Sequence, residues 1–372
     1  MTGSDETSEA ATRATGLLEF ISESGSLWAG SLAAVLLFLF AVQLLGTATE
    51  AAEPLIERIL RTIIVDNGSA LGLSWLTTYG VTNGSVVAAL TLSLLRSGIV
   101  SASEAFLMIA GSRLGAGAIV VLVGTLDYFQ KRRTRTLRER TSLGLLTFVV
   151  TFTVYLPVTA LGIVVLRTFQ SELFAATGGL SLPVRSLRFF EPVTEAVTRS
   201  SGPEIALVVA IALLLGSLWL FDEVLERVET ESVRTYLFRH FEGKWTAFGI
   251  GFLITGVTTS IAFSLGVVVP LYNRQFVRRD EIVPYILGAN IGTLFDTLVV
   301  AFVLETTVGV AIVLLLMALG TLLTLTVLVG YEPYTQIVDG TQDRLLTDRR
   351  FFVGFAVLLV AVPLALLLVP HL

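Results

Sequence analysis

Cysteine is absent from this 372-residue chain, and His240 and His371 are its only histidines. The missing thiols exclude disulfides, thiolate metal sites and a cysteine nucleophile. Two histidines leave little for zinc binding or for acid–base catalysis. No Gly-x-x-x-x-Gly-Lys-[Ser/Thr] segment is present, so we do not expect ATP hydrolysis. Because no nucleophile–base set or metal-ligand cluster is visible, the sequence predicts neither an enzyme nor a bound cofactor.

Charge is scarce as well. Charged residues make up 15% of the chain, hydrophobic residues 54%, and the mean hydropathy is +0.81. Several apolar runs approach or exceed the ~20 residues that a helix needs to cross a bilayer. The pattern predicts an all-α polytopic membrane protein that contacts lipids and binds no nucleic acid. Lys131 and Lys244 are the only lysines among 25 basic residues, and this arginine-rich, acidic style indicates a prokaryotic source.

Two glycine motifs lie 177 residues apart in the sequence. The segment Gly288-Ala-Asn-Ile-Gly-Thr293 aligns without gaps on Gly111-Ser-Arg-Leu-Gly-Ala116. The match extends upstream at polar and glycine positions, which apolar composition does not match by chance: Glu104 with Glu281, Thr82 with Thr259, Thr78 with Thr255, and Gly72 with Gly249. An internal duplication in so apolar a chain is typical of transporters.

Each copy holds an apolar segment that small polar residues interrupt near its middle. Residues 70–95 are broken at Thr82-Asn-Gly-Ser85, and residues 247–271 at Thr259-Ser260. An arm of about 12 residues is ~18 Å long, short of a ~30 Å hydrocarbon core. We therefore predict two re-entrant hairpins, whose tips must face protein or a water-filled cavity.

The remaining apolar runs predict seven spans and a topology. The spans are 27–45, 102–129, 143–166, 205–221, 282–304, 308–329 and 351–369, with an interfacial amphipathic helix at 50–64 and a charged helical stretch at 222–242. Three spans separate the two hairpins, so the second copy is expected to be inverted. This arrangement places the basic regions 131–140, 227–244 and 344–350 together in the cytoplasm. It leaves residues 168–204 and 305–307 outside.

These boundaries define six predicted regions, beginning with a polar, acidic, cytoplasmic tail that lacks the basic start of a cleavable signal. They are the tail 1–26, repeat one 27–167, the extracellular connection 168–204, repeat two 205–331, a cytoplasmic loop 332–350 and a C-terminal span 351–372.

Hydroxyl and amide groups at two opposed tips suit an oxyanion, because helix N-termini and free backbone N–H groups are donors. The predicted substrate-binding residues are Thr82, Asn83, Ser85, Arg113, Thr259, Ser260, Asn290 and Thr293, with Thr78, Thr255 and Asp296 predicted for ion coupling. The alternative is that small residues only allow close helix packing. We favour packing for the motif glycines, and capping of helix starts for Glu104 and Glu281.

Arg113 and Asp296 stand out because an ionised side chain in a span costs at least ~2.5 to 3.5 kcal/mol on insertion scales. Arg113 occupies the position that Asn290 holds in the other copy, and Asp296 matches Ile119. They are predicted either to lie near the substrate or to form an ion pair that holds the two halves together. The two roles are compatible.

The chain resembles the sodium/phosphate cotransporter family over residues 33–335. The segment Leu37-Phe-Leu-Phe-Ala-Val-Gln-Leu-Leu45, the charged helix, the broken hairpin and the second glycine motif carry the resemblance. In that family each inverted repeat pairs a Gln-Ser-Ser-Ser tip with a Gly-Ala-Asn-Ile-Gly-Thr-Thr helix. Here the tips read Thr82-Asn-Gly-Ser85 and Thr259-Ser-Ile-Ala262. The resemblance implies phosphate as substrate and Na⁺ as coupling ion.

We therefore expect a secondary transporter of a small inorganic oxyanion in the plasma membrane, working by alternating access and compatible with a homo-oligomer. The alternatives are an exporter, a carrier of another anion, or a non-transporting scaffold or regulator. The degenerate tips favour the scaffold. Asn290, Thr293 and the duplicated Thr78 and Thr255 favour transport. Since a fixed cation repels sodium, Arg113 also predicts that one sodium site is lost and that anion binding depends on this arginine.

Overall fold

The computed structural model describes residues 4–130, 135–178, 189–227, 243–261, 263–265, 268 and 277–369. Within these ranges the secondary structure is helical and contains no strand. In the described part of the chain, six helical segments are long and apolar enough to cross a membrane: Leu27–Ala51, Gly144–Thr168, Pro203–Leu225, Asp280–Val303, Thr307–Val329 and Arg350–Leu368. The prediction of an all-helical, multi-pass membrane protein is confirmed.

The helices are numbered α1 to α15 in chain order. They are α1 Ser4–Ala51, α2 Glu53–Ile63, α3 Asn67–Val81, α4 Gly84–Arg96, α5 Ala102–Gln130, α6 Arg135–Thr168, α7 Gln170–Thr177, α8 Glu191–Ser201, α9 Pro203–Arg227, α10 Lys244–Thr258, α11 Arg279–Gly292, α12 Leu294–Val303, α13 Thr307–Val329, α14 Tyr331–Thr347 and α15 Arg349–Leu368. Each of the six spans overlaps a predicted one. The seventh, 102–129, falls in α5, and the side chains of its last third lie outside the described residues.

Helices also occupy regions that the sequence analysis treated as a tail or as loops. Residues 4–26 extend α1, the connection 168–204 contains α7 and α8, and α14 lies in the loop 332–350. Tertiary contacts hold α8 and α14. On α8, Thr194 Oγ1 lies 3.1 Å from Thr47 Oγ1 of α1, and on α14 the Tyr334 hydroxyl lies 2.7 Å from Thr153 Oγ1 of α6. Burial raises the pKa of Tyr334 to about 12, so its hydroxyl stays protonated near neutral pH.

The amphipathic segment 50–64 forms α2, none of whose residues is buried. Leu55 and Ile59 are 41% and 50% exposed, which leaves an apolar face open, as expected for a helix lying in the interface. The first residues of the predicted counterpart, 222–227, continue α9, and its remainder, 228–242, lies outside the described residues.

Both broken segments are interrupted where the sequence predicts. Helix α3 ends at Val81 and α10 ends at Thr258. The next residues, Thr82 and Thr259, have left-handed backbone conformations with φ of 60° and 53°. Such values are uncommon for residues with a side chain, and among the described non-glycine residues only Glu305 shares them. The chain therefore leaves the helix by the same turn at two positions 177 residues apart.

The glycine motifs lie against the first arm of each broken segment, α5 on α3 and α11 on α10. A Cβ atom at Gly115 would lie 2.7 Å from the carbonyl oxygen of Trp75, and one at Gly292 would lie 2.7 Å from that of Phe252. Phe252 is the residue 177 positions after Trp75. Each helix can therefore approach its arm only because the motif residue lacks a side chain, which confirms the packing role expected for these glycines.

Candidate functional site

The helical period determines which way the central residue of each glycine motif points. Gly111 and Gly115 are one turn apart and face α3, and a residue two positions along is rotated by about 200°, which places Arg113 on the opposite side of α5. The same argument turns Asn290 away from α10. Helix α6 packs against both α5 and α11, so both side chains face the interior of the protein.

Arg113 forms a buried ion pair with Asp296 of α12. The two side chains are 6% and 3% exposed, and Arg113 Nη2 lies 3.3 Å from Asp296 Oδ1. Arg113 Nη2 also donates to the Thr297 hydroxyl, which in turn donates to Asp296 Oδ1 over 2.8 Å. The pair joins residues 183 positions apart. It therefore ties the helix that carries the first glycine motif to the helix that follows the second.

The ion pair is incompletely satisfied. Arg113 Nε and Asp296 Oδ2 are both buried and have no hydrogen-bond partner among the described residues. A guanidinium and a carboxylate frequently pair through two parallel hydrogen bonds, which would engage both carboxylate oxygens and, in the side-on geometry, Nε beside Nη2. A buried polar atom without a partner is costly, and in a native protein it often indicates a functional site or a bound water or ion.

Asn290 presents another buried donor without a partner, its Nδ2 group. Its Oδ1 accepts a hydrogen bond from Thr151 over 3.1 Å, so the amide is oriented with Nδ2 pointing elsewhere. Its backbone carbonyl accepts from the Tyr155 hydroxyl at 2.7 Å and from the Thr293 hydroxyl at 2.8 Å. Tyr155 is fully buried, and its hydroxyl lies close enough to Arg113 and Asp296 to interact electrostatically with both side chains. The arginine, the aspartate and the asparagine thus lie around one tyrosine.

At the first tip, the polar side chains are partly used by the local fold. Asn83 caps α4, since its Oδ1 accepts from the backbone N–H groups of Ser85 and Val86 at 2.9 and 3.1 Å. Thr82 is exposed and Ser85 half-buried. Gly84 packs against α5, where a Cβ atom would lie 2.8 Å from the carbonyl oxygen of Ser112. The first tip therefore lies beside the backbone that carries Arg113.

At the second tip, Ser260 Oγ accepts from the backbone N–H of Phe263 at 3.1 Å. Its preceding arm approaches Asp296, because a Cβ atom at Gly256 would lie 3.2 Å from the ring of Phe295. Among the described residues no hydrogen bond joins the two tips, so Thr82, Asn83 and Ser85 are not brought onto Thr259 and Ser260. Each tip instead neighbours one member of the ion pair.

The duplicated threonines Thr78 and Thr255 are buried and bond within their own hairpins. Thr78 Oγ1 donates to the Ser74 carbonyl at 2.8 Å, and Thr255 Oγ1 donates to Ser264 Oγ at 2.7 Å. Their β-carbons lie against Gly115 and Gly292. In this state of the protein their hydroxyls are engaged, and their assignment to ion coupling stays a prediction.

Glu104 and Glu281 cap helix starts, as predicted. Glu104 Oε2 accepts from the backbone N–H of Ser101 at 2.6 Å, and Glu281 Oε2 accepts from that of Arg278 at 2.8 Å.

Sequence reasoning did not identify Thr151, Tyr155 or Thr297. Thr297 directly follows Asp296, and a buried charge in a span needs neighbouring donors, so its position was an available signal. Thr151 and Tyr155 lie one turn apart in α6 inside a long apolar run. That spacing places both on one helix face, but the sequence alone does not indicate that this face meets Asn290.

Residues 213–363 match the sequence profile of the Na⁺/Pi-cotransporter family. The matched stretch includes Asn290, Thr293 and Asp296, and it excludes Arg113 and the first hairpin. No curated protein and no solved structure matches the chain.

Proposed function

We propose that this member of the Na⁺/Pi-cotransporter family is a secondary transporter of a small inorganic oxyanion, phosphate, across the plasma membrane of a prokaryotic cell. Transport proceeds by alternating access and is coupled to Na⁺. The observation that carries the proposal is the buried Arg113, which binds Asp296 through Nη2 and keeps Nε without a partner. A guanidinium donates several hydrogen bonds in a planar fork that suits phosphate oxygens.

Two inverted repeats with re-entrant hairpins are the architecture of this proposal. The left-handed Thr82 and Thr259 and the matching glycine contacts support a duplicated hairpin. The odd number of spans between the copies supports inversion. Re-entrant backbone is stable at membrane depth only where protein or a water-filled cavity covers it. We assign the two tips to the walls of such a path.

The anion is held near Arg113 and Asn290, where a low local dielectric strengthens charge–charge attraction. The first tip neighbours Arg113 through Gly84, and the second arm neighbours Asp296 through Gly256. Tip residues Thr82, Asn83, Ser85, Thr259 and Ser260 line the entry, Thr293 supports Asn290, and Thr78, Thr255 and Asp296 serve ion coupling.

Radiolabelled phosphate uptake into proteoliposomes, with and without an inward sodium gradient, tests the proposal. We expect sodium-stimulated uptake that is lost in Arg113→Gln and retained in Arg199→Gln, which removes an exposed arginine on α8. If phosphate uptake is the same with and without the sodium gradient, transport is not coupled to Na⁺, while phosphate stands as the substrate. If neither phosphate nor a related oxyanion is transported, the chain is a scaffold that retains the fold.

A further inference from the structure

We infer that Asp296 is an internal competitor of the transported anion. In the empty protein its carboxylate occupies Arg113, and an arriving oxyanion takes that place and breaks the tie between the two copies. The inference rests on the proposed function and adds to it the residue that sets anion affinity.

The geometry of the pair favours an exchangeable contact. A permanent structural bridge would use the arginine fork fully, yet only Nη2 bonds to the carboxylate, at 3.3 Å. The Nε of Arg113 and the Oδ2 of Asp296 stay buried and unpartnered. A tetrahedral oxyanion can accept from several donors at once, so it satisfies the arginine better than this carboxylate does.

Asp296 keeps hydrogen bonds after Arg113 turns away. The backbone N–H and the hydroxyl of Thr297 both donate to Asp296 Oδ1, the hydroxyl over 2.8 Å. These donors lie on the same helix as the carboxylate, so they remain in place when α5 moves relative to α12. Thr297 also accepts from Arg113, so it bridges the two charges in the paired state.

Asn290, whose backbone carbonyl accepts from Tyr155, carries a second donor without a partner among the described residues. Asn290 Nδ2 is buried without an acceptor, while Thr151 fixes the orientation of its amide. Tyr155 links the two sites, because it bonds to the Asn290 carbonyl and lies within electrostatic range of Arg113 and Asp296. An oxyanion between Arg113 and Asn290 would therefore supply acceptors for two buried donors that lack them.

Exchange of the arginine's partner has a mechanical consequence. The pair joins α5 of the first copy to α12 of the second across 183 residues of sequence. Anion binding removes this charged contact, so the loaded protein has one fewer contact that holds the two copies in this arrangement. A charged contact that exists only in the empty state thus links substrate binding to the alternation of access.

The test compares phosphate affinity of wild type, Asp296→Asn and the double variant Arg113→Gln/Asp296→Asn in purified full-length protein. We expect Asp296→Asn to bind phosphate at least about tenfold more tightly than wild type, because one charged competing contact is lost. The double variant should lose binding. Asp280→Asn is the matched control, since it removes an exposed carboxylate on α11 and should leave affinity unchanged.

Thermal unfolding with and without phosphate covers the case in which Asp296→Asn is unstable. An uncompensated buried Arg113 should make this variant more dependent on phosphate for stability than wild type is. If wild type binds phosphate but Asp296→Asn binds no more tightly and gains no extra stabilisation, the competitor assignment is wrong while transport stands. Absence of phosphate binding in wild type and in Asp296→Asn would instead overturn both.

Discussion

The two broken hairpins share their inner contacts and differ on their outer faces. In both, a left-handed threonine ends the first arm, and a glycine motif packs on that arm with the same 177-residue register. The outer face of α3 is covered by the C-terminal helix α15. Among the described residues no helix covers the equivalent face of α10, where Leu253 is 62% exposed and its counterpart Leu76 on α3 is half-buried.

The cover over α3 rests on two specific features. Gly72 lies under α15, where a Cβ atom would be 2.5 Å from the carbonyl oxygen of Pro363, whereas one at its counterpart Gly249 would meet nothing within 4 Å. Pro363 has no N–H, so the Leu359 carbonyl lacks its helical partner. The Tyr79 hydroxyl donates to that carbonyl at 2.7 Å and accepts from the Trp75 indole N–H, also at 2.7 Å.

The two hairpins are therefore alike on the face that packs on the glycine motifs, and α15, which lies outside the proposed repeats, makes them unequal on the other face. We expect the braced first hairpin to stay with the scaffold and the second hairpin to open more easily, because α15 packs on α3 at Gly72, whereas a Cβ atom at Gly249 of α10 would meet no described residue within 4 Å.

The largest expected effect comes from making the two glycine motifs alike. Arg113→Asn leaves Asp296 buried without a counter-ion, so we expect a loss of about 3–5 kcal/mol in unfolding free energy. Anion binding should weaken by more than the ~1 kcal/mol of an ordinary hydrogen bond. Adding Asp296→Thr should recover part of the stability and none of the affinity. Unfolding curves measure the stability of each variant, and a sodium titration measures its anion affinity.

Unchanged anion affinity in Arg113→Asn, together with wild-type binding that rises steeply with sodium, would limit Arg113 to a structural role.

A smaller effect should separate the outer faces. Gly72→Ala adds a methyl group against the backbone of Pro363 and Leu367. We expect the free energy of unfolding to fall by about 1–3 kcal/mol. Gly249→Ala meets open space, and should be neutral or stabilise α10 by up to ~1 kcal/mol. Thermal unfolding in detergent compares the matched pair. Equal losses at both positions would contradict the proposed inequality of the two hairpins.

Tyr79→Phe tests the hydrogen bond to the Leu359 carbonyl, which Pro363 leaves without its helical donor. We expect the free energy of unfolding to fall by about 1 kcal/mol, since the substitution removes the donor to the Leu359 oxygen. In a Pro363→Ala background, residue 363 regains an N–H for Leu359, so the same tyrosine change should cost less. The double-mutant cycle reads this difference directly. Identical costs in both backgrounds would mean that Tyr79 does not compensate for the proline.

The smallest effect on stability is expected from a single cysteine introduced at a tip. Because the chain contains no other cysteine, any reaction with a thiol reagent reports on that position alone. Cysteines at Ser85 and Ser260 should both react with small hydrophilic thiol reagents, because broken backbone at membrane depth needs water or protein partners. Phosphate should slow the reaction, and more at Ser260 if the second hairpin moves further. A lipid-facing cysteine at Leu322, 63% exposed, is the control. If the cysteines at the tips react no faster than the cysteine at Leu322, the tips do not line an aqueous path.

Sequence patterns predicted the helix breaks well because small polar residues in an apolar run act locally. Thr82 and Thr259 end their helices where the pattern is interrupted. The patterns were less informative for 168–204 and 332–350, where α7, α8 and α14 lie. Polar, short amphipathic segments are marginal as isolated helices, and packing contacts such as Tyr334 on Thr153 stabilise them.

The sequence by itself determined the membrane character and the positions of the two breaks, and it predicted an internal duplication and two costly charges within spans. All of these depend on composition and spacing along the chain. Only the tertiary structure decided that Arg113 meets Asp296, that Tyr155 and Thr151 hold Asn290, and that α15 braces one hairpin alone. The physical reason is that spanning helices are apolar toward lipid and toward protein alike, so their periodicity does not distinguish the face that packs from the face that is exposed.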